Sequence, residues 1–89
     1  MSAPTLTTIE VRYFAAAKAA AGLPQEKVEI PADATVATVL DAVRALHGAE
    51  LARVLERCSF LLDEVAVRDR DLRVDGATAL DVLPPFAGG

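Results

Sequence analysis

Hydrophobic and polar residues alternate in two short segments, one near each end of the chain. Residues 9–13 read IEVRY and residues 80–82 read LDV. A period of two is typical of a strand with one face in water. Residues 27–30 read KVEI and precede a proline, which indicates a further strand. We predict that this strand pairs antiparallel with the first one, and that Pro84 and Pro85 end the last one.

The middle of the chain carries hydrophobic residues at helical spacing. Thr35 is a good N-cap residue and Gly48 suits a helix end, so we predict one long helix between them. His47 lies in its last turn, where we expect it to interact with the helix dipole rather than to act in catalysis. The residues expected to face the core are Val36, Val39, Leu40, Val43 and Leu46.

Two further segments are predicted to be helical. Residues 15–21 contain six alanines and one lysine, and Gly22 can end a short helix there. Residues 49–57 carry a second apolar stripe, which Cys58 continues. We therefore expect this thiol to be buried and inert, and not to take part in sulfur transfer.

The order of the elements indicates the fold class. Residues 60–62 and 65–68 are predicted to form two short strands before the last one. Strands, one main helix and more strands indicate an α+β fold, with a mixed sheet and that helix packed on one face. With the first and last strands parallel at its centre, the fold is the ubiquitin-like β-grasp. We predict that residues 1–83 form this domain and that residues 84–89 form a flexible tail.

Composition and charge narrow the possible functions. The chain has 89 residues, 53% of them hydrophobic, which suits one domain with one core. Its net charge of -4 disfavours nucleic-acid binding, and the densest basic run, residues 68–73, alternates with acids as a solvated turn does. We recognise no leader sequence, and no apolar run approaches the roughly 20 residues that span a bilayer. We expect a cytoplasmic protein that binds neither nucleic acid nor membranes.

The side chains offer little for catalysis by the chain itself. A single cysteine can form neither an internal disulfide nor a metal site alone. The one histidine is not paired with a nucleophile, and Gly22, Gly48 and Gly76 are too scattered to form a phosphate-binding loop. We expect no metal, no cofactor bound by this chain and no autonomous activity.

The last six residues, PPFAGG, combine two prolines, an aromatic residue and two glycines. The prolines hold the chain extended, and six residues can reach roughly 20 Å. A terminal carboxylate reacts only after activation as, for example, an acyl-adenylate. Its carbonyl carbon must then approach a nucleotide phosphate and, next, a sulfur donor. Side chains at the last two positions would crowd that approach, so Gly88 and Gly89 suit this chemistry.

Residues 80–89, LDVLPPFAGG, resemble the end of the small subunit of molybdopterin synthase. That family ends in an apolar strand, two prolines, two variable residues and Gly-Gly. Residues 11–15, VRYFA, resemble its first strand, and Gly22 matches the glycine that ends its short helix. Order and spacing are similar over nearly the whole chain, although only the tail is specific. The sequence is therefore identified as a member of this family of ubiquitin-like sulfur carriers.

The resemblance implies a chain that is consumed as a co-substrate instead of acting as an enzyme. An E1-like enzyme would use ATP to adenylate Gly89 and convert it to a thiocarboxylate. The tail would then enter the large subunit of the synthase, within a heterotetramer. There its sulfur would pass to cyclic pyranopterin monophosphate, and the large subunit would supply the catalytic side chains.

The resemblance also implies which residues meet the partner. Phe14 and Leu83 match positions of an apolar docking surface, and Val67 matches a third within a residue or two. Phe14 could equally be a core residue. If Val82 is buried, Leu83 should face outward, where an apolar side chain favours an interface. The expected partner-binding residues are Phe14, Val67, Leu83, Pro84, Pro85, Phe86 and Ala87.

Three other functions fit the same fold. The chain could carry sulfur for thiamine, cysteine or tRNA thiolation, since those carriers share the Gly-Gly end. It could modify proteins through a bond from Gly89 to lysine. It could also be an interaction module whose glycines have no chemical role, and deletion of Gly89 would then leave its function intact.

Overall fold

The computed structural model describes residues 5–85 of the chain. Every predicted helix and strand is present in this part, and no helix within it is long and apolar enough to cross a membrane. In chain order the elements are β1 (Leu6–Tyr13), α1 (Ala15–Ala21), β2 (Gln25–Pro31), α2 (Val36–His47), α3 (Ala49–Leu55), β3 (Ser59–Leu62), β4 (Val65–Ala66) and β5 (Ala79–Leu83).

The strands form one mixed sheet in the order β2-β1-β5-β3-β4. β1 pairs antiparallel with β2 and parallel with β5, in a register that aligns Val11 with Leu80 and Tyr13 with Val82. β3 pairs antiparallel with both β5 and β4. The predicted parallel pairing of the first and last strands at the centre of the sheet is therefore confirmed.

The two faces of the sheet differ. Alternate residues of the central strands, such as Ile9, Val11 and Leu80, are at most 1% exposed, and they share one apolar cluster with the buried side chains of all three helices. The intervening residues lie on the opposite side, which we call the open face. One face thus packs against the helices, whereas no helix within residues 5–85 packs on the other. The open face carries Glu10, Arg12, Leu61, Asp81 and Leu83.

The main helix, α2, is closed at its N-terminus by the chain itself. Thr35 is the N-cap, as predicted: its hydroxyl accepts from the N–H of Thr38 at 3.3 Å, and the Thr38 hydroxyl accepts from the N–H of Thr35 at 3.4 Å. The carbonyls of Leu72 and Arg70 accept from the next two backbone amides, both at 2.9 Å. Residues 68–73 are exposed and form a solvated turn, as predicted. The backbone of this turn also caps the helix.

Three details of the sequence-based prediction were wrong. Leu46 is 60% exposed, because His47 takes the inward position in the last turn of α2 and contacts a carboxylate of β2. β4 ends at Ala66, because Val67 keeps only one hydrogen bond to β3 before the chain leaves the sheet edge to reach the N-terminus of α2. α3 ends at Leu55, although Cys58, just beyond it, is buried as predicted.

The last strand ends at Leu83, and the two prolines that follow have no regular structure. The rest of the predicted tail, residues 86–89, lies outside the described residues. The division into a domain of residues 1–83 and a flexible tail therefore stays a prediction.

Candidate functional site

The tail that is predicted to react leaves the sheet at its centre. β5 lies between β1 and β3, and its last residue, Leu83, pairs with Ser59 of β3. On the other side, the carbonyl of Val82 accepts a hydrogen bond from the N–H of Phe14 at 3.3 Å. Neighbouring strands on both sides therefore hold the point from which the tail starts. The predicted tail residues Phe86, Ala87, Gly88 and Gly89 lie outside the described residues.

Phe14 and Leu83 lie side by side on the open face. Tyr13 pairs with Val82, so the parallel register extended by one residue places Phe14 opposite Leu83. The backbone of Phe14 is extended, with φ −124° and ψ 151°, so the alternation of β1 continues through it. Phe14 is 43% exposed, which excludes the core position that the sequence had left open. Leu83 is half-buried and faces away from buried Val82, as predicted.

The turn after Phe14 is strained. Ala15 begins α1 with a φ of 51°, and the left-handed region costs a residue other than glycine roughly 1 kcal/mol. This conformation turns the chain from the end of β1 directly onto the helix-covered face, where Ala17 is fully buried. Such strain persists only where the surrounding packing holds it. Packing therefore fixes the position of Phe14 beside the start of the tail.

Leu61 belongs to the same apolar surface, although the sequence pattern did not single it out. It pairs with Asp81 on β5 and is half-buried outside the core, whereas its neighbour Phe60 is buried on the other face. Val67 lies elsewhere: its N–H donates to the carbonyl of Phe60, and its side chain packs against the core. The structure therefore does not bring Val67 onto the open face. We call Phe14, Leu61 and Leu83 the apolar patch.

An ion pair lies beside the apolar patch. The parallel register aligns Arg12 of β1 with Asp81 of β5, and Nε and Nη2 of Arg12 donate to the two carboxylate oxygens at 2.5 and 3.1 Å. The side chain of Asp81 is 10% exposed and that of Arg12 is 35% exposed. The hydrogen bond to Asp81, and then the attraction of its charge, raise the pKa of Arg12. The ion pair is therefore a polar group in a fixed position on the open face, next to the apolar patch.

A second polar cluster lies on the helix-covered face. One carboxylate oxygen of Glu26, on β2, accepts from the hydroxyl of Tyr13 at 2.5 Å and from Nε2 of His47. The rings of Tyr13 and His47 also meet edge to face, with centroids 5.9 Å apart. These contacts join β1, β2 and the end of α2. His47 is thus a structural residue, and its partner is a carboxylate from another element.

Substitution of Tyr13 by phenylalanine should change how stability depends on pH. Burial, and then the hydrogen bond to Glu26, raise the pKa of Tyr13 above its usual value. An unfolded tyrosine ionises near pH 10. Above that pH the unfolded chain binds fewer protons than the folded one, so the free energy of unfolding of the wild type should fall as pH rises.

The Tyr13→Phe variant should lose about 1 kcal/mol at neutral pH, because Glu26 loses one donor, and should decline less steeply above pH 10. Urea unfolding at several pH values measures both effects. Tyr13 is the only tyrosine, so near-ultraviolet absorbance reports its ionisation directly. Parallel declines of wild type and variant in alkali would contradict this prediction.

Cys58, the only cysteine, is buried, as predicted. Its thiol donates to the carbonyl of Val54 at 3.2 Å, and burial raises its pKa. A protonated, buried thiol is a poor nucleophile, so Cys58 is suited to packing and not to sulfur transfer. No group of three or more His, Cys, Asp or Glu side chains within residues 5–85 could hold a metal ion.

Comparison with known proteins shows a similarity that extends well beyond the tail. A model of the ThiS family matches residues 11–89. The molybdopterin synthase sulfur carrier subunit of Chlamydomonas reinhardtii is 32% identical over 83 residues, which cover 91% of this chain and 98% of that protein. The likeness therefore extends over nearly the whole length of both chains.

Solved structures share the architecture. SAMP1, small archaeal modifier protein 1, from Haloferax volcanii aligns with a TM-score of 0.82 and 27% identity, covering 93% of this chain and 100% of that one. A complex of subunits 1 and 2 of molybdopterin-converting factor from Helicobacter pylori aligns with a TM-score of 0.59 and 24% identity, covering 93% of this chain and 100% of the matched one, a likeness of fold alone. The predicted ubiquitin-like β-grasp fold is confirmed.

Proposed function

Because the chain belongs to the ThiS family, we propose that it is the sulfur carrier subunit of a molybdopterin synthase. The observation that carries this proposal is its likeness to the algal subunit of that name along nearly the full length of both chains. The resemblance to the small subunits of molybdopterin synthase, first indicated by the tail, is confirmed by the same relative.

In the proposed reaction the carboxylate of Gly89 is the reacting group. An E1-like enzyme transfers AMP from ATP to this carboxylate and releases pyrophosphate. Sulfide released from a sulfur source then attacks the carbonyl carbon and displaces AMP, which leaves a thiocarboxylate and a proton. In the synthase, side chains of the large subunit catalyse passage of the sulfur to cyclic pyranopterin monophosphate. Water supplies the oxygen that restores the carboxylate.

The described residues support this use of the tail. The tail starts from a strand held between β1 and β3, so its origin is fixed relative to the sheet. The apolar patch lies beside that origin, because Phe14 is opposite Leu83. Burial of the patch by a partner would offset the conformational entropy that the tail loses when it becomes ordered. A partner that covers the patch would therefore receive the tail from a defined position.

A second candidate function is protein modification through the same terminus. The likeness to small archaeal modifier protein 1 favours it, since that structure covers nearly all of this chain. Both functions require activation of Gly89. They differ in the nucleophile that attacks the activated carbonyl carbon: sulfide for the carrier, and a lysine amine for the modifier.

Intact mass spectrometry tests the first half of the proposal. After incubation with an E1-like enzyme, ATP and a sulfur source, the protein should gain one sulfur in place of one oxygen. A variant without Gly89 should keep its original mass. If the wild type also keeps its mass, while a known carrier is converted in the same mixture, the chain is not a sulfur carrier.

Reconstitution with the large subunit of the synthase tests the second half. We expect dithiolene to form from cyclic pyranopterin monophosphate in proportion to the thiocarboxylated protein added. Sulfur delivery only to thiamine, cysteine or tRNA thiolation partners would assign the chain to one of those pathways. Lysines that carry a remnant of the tail, found by mass spectrometry in cell extracts, would favour the modifier function.

Substitution of Leu83 by serine should weaken docking of the large subunit. Leu83 is a half-buried member of the apolar patch, and its loss removes apolar contact area at the start of the tail. Loss of a central interface side chain of this kind raises the dissociation constant about tenfold. Calorimetric titration measures this change. Leu46→Ser is the matched control, because Leu46 is exposed on α2; equal weakening by both variants would argue against docking on the open face.

A further inference from the structure

We propose that the Arg12–Asp81 pair recognises the partner that covers the open face, by offering guanidinium N–H groups to an oxygen acceptor on that partner. The acceptor is a neutral oxygen such as a backbone carbonyl, because Asp81 already balances the charge of Arg12 and Glu10 lies on the same face. The inference rests on the proposed function, in which the partner is the large subunit of molybdopterin synthase.

Arg12 has donors to spare. Asp81 engages Nε and Nη2, and within residues 5–85 it is the only side-chain partner of the guanidinium. No acceptor within residues 5–85 bonds to Nη1, so its N–H groups can meet an acceptor on the partner. The carboxylate, by contrast, already accepts at both of its oxygens and is largely buried. The arginine is the more exposed member of the pair, so it is the one that meets the partner.

The orientation of this guanidinium is set before a partner arrives. Two parallel hydrogen bonds fix its plane against Asp81, and the parallel pairing of β1 and β5 fixes the position of both residues. A guanidinium that is already ordered loses little conformational freedom when a further hydrogen bond forms. Its side chain is still 35% exposed, so an acceptor can reach it.

The surroundings make this contact selective. Phe14 lies two residues beyond Arg12 on the same side of β1, Leu83 lies two residues beyond Asp81 on β5, and Leu61 is the β3 neighbour of Asp81. A partner that buries these apolar side chains also removes the guanidinium from water. Buried N–H groups without an acceptor cost free energy, whereas a matched acceptor recovers it. Arginine in such surroundings is common among residues that dominate binding.

The partner that fits is therefore an apolar surface with one oxygen acceptor placed opposite Arg12. A wholly apolar surface would bury the same area and bind less well. The pair thus determines which of several apolar partners the chain accepts, while the apolar patch supplies contact area that does not discriminate among them.

Calorimetric titration of the large subunit with the full-length chain tests the inference. The double variant Arg12→Leu/Asp81→Leu removes both charges, so it leaves no unpaired charge in the interface. We expect its dissociation constant to rise about tenfold or more. The control is Arg44→Leu/Asp41→Leu, which removes an ion pair of 2.9 Å on α2 and should change the dissociation constant less than about twofold.

Arg12→Lys is the second variant, and it decides the question if the double variant does not fold. Lysine keeps the charge beside Asp81 but lacks the planar fork of donors, so we expect weaker binding again. If either variant folds and still binds with wild-type affinity, the inference is wrong but the proposed function is unaffected. Failure of the wild-type chain to bind the large subunit overturns the proposed function, and the inference with it.

Discussion

Replacement of Gly89 by valine is expected to reduce sulfur transfer by at least about 100-fold, since small misplacements of reacting groups cost that much. The branched Cβ would stand beside the carbonyl carbon that must meet a phosphate and then a sulfur donor. It would also restrict the backbone angles available to the last residue. Intact mass after activation, and dithiolene formed afterwards, separate loss of activation from loss of transfer.

The fold should be unaffected by this substitution. Residue 89 follows the last strand by six positions, so we expect Gly89→Val and wild type to have the same midpoint of thermal unfolding. Ala45→Val, at an exposed position on α2, is the control for the added bulk and should keep full activity. Near-normal sulfur transfer by Gly89→Val would contradict a reaction at this carboxylate.

Truncation of Leu80 to alanine is expected to give the largest loss of stability. Leu80 is 0% exposed on β5, between two paired strands, so a cavity would open in the middle of the core. Such substitutions cost about 2–5 kcal/mol. In a domain of this size that lowers the midpoint of thermal unfolding by roughly 10–30 °C.

Calorimetry or circular dichroism on heating measures this effect. Leu46→Ala is the matched control: Leu46 is 60% exposed, so its truncation should change stability by less than about 0.5 kcal/mol. Similar midpoints for the two variants would show that β5 does not hold the core. Because β5 also carries the start of the tail, we expect Leu80→Ala to lose sulfur transfer on warming, and to regain it on cooling.

Local sequence patterns predicted those parts of the fold that depend on neighbours along the chain. The alternation of residues 9–13 identifies a buried and an open face of β1, and the structure places Ile9 and Val11 in the core. The hydroxyl of Thr35 and the amide of Thr38 are three residues apart, so a capping contact can be foreseen from spacing alone. These features need no knowledge of distant partners.

Contacts between distant segments could not be foreseen in the same way. Arg12 and Asp81 are 69 positions apart, and only the register of β1 with β5 joins them. Leu46 and His47 are adjacent, and which of them turns inward depends on Glu26, 21 positions from the histidine. The exposure of Phe14 depends on the left-handed conformation of Ala15. An alanine at the start of a predicted helix gives no sign of such a conformation.

The candidate site was predicted unevenly for the same reason. The tail motif, together with Phe14 and Leu83, followed from family resemblance, and the structure places those two side by side. Leu61 could have been found from the alternation of β3, because its neighbour Phe60 is buried. Val67 packs against the core, since the short β4 places it opposite Phe60 and not on the open face.

The central position of β5 also limits when a newly made chain can fold. β1 pairs with β2 and β3 pairs with β4, but only β5 joins these two strand pairs, and it follows all the other elements along the chain. Contacts between such distant segments form late. We therefore expect the two strand pairs of a growing chain to stay separate until β5 has been made. We expect a chain that stops before β5 to stay unfolded and open to proteases, because it lacks the strand that joins the two pairs and from which the tail begins.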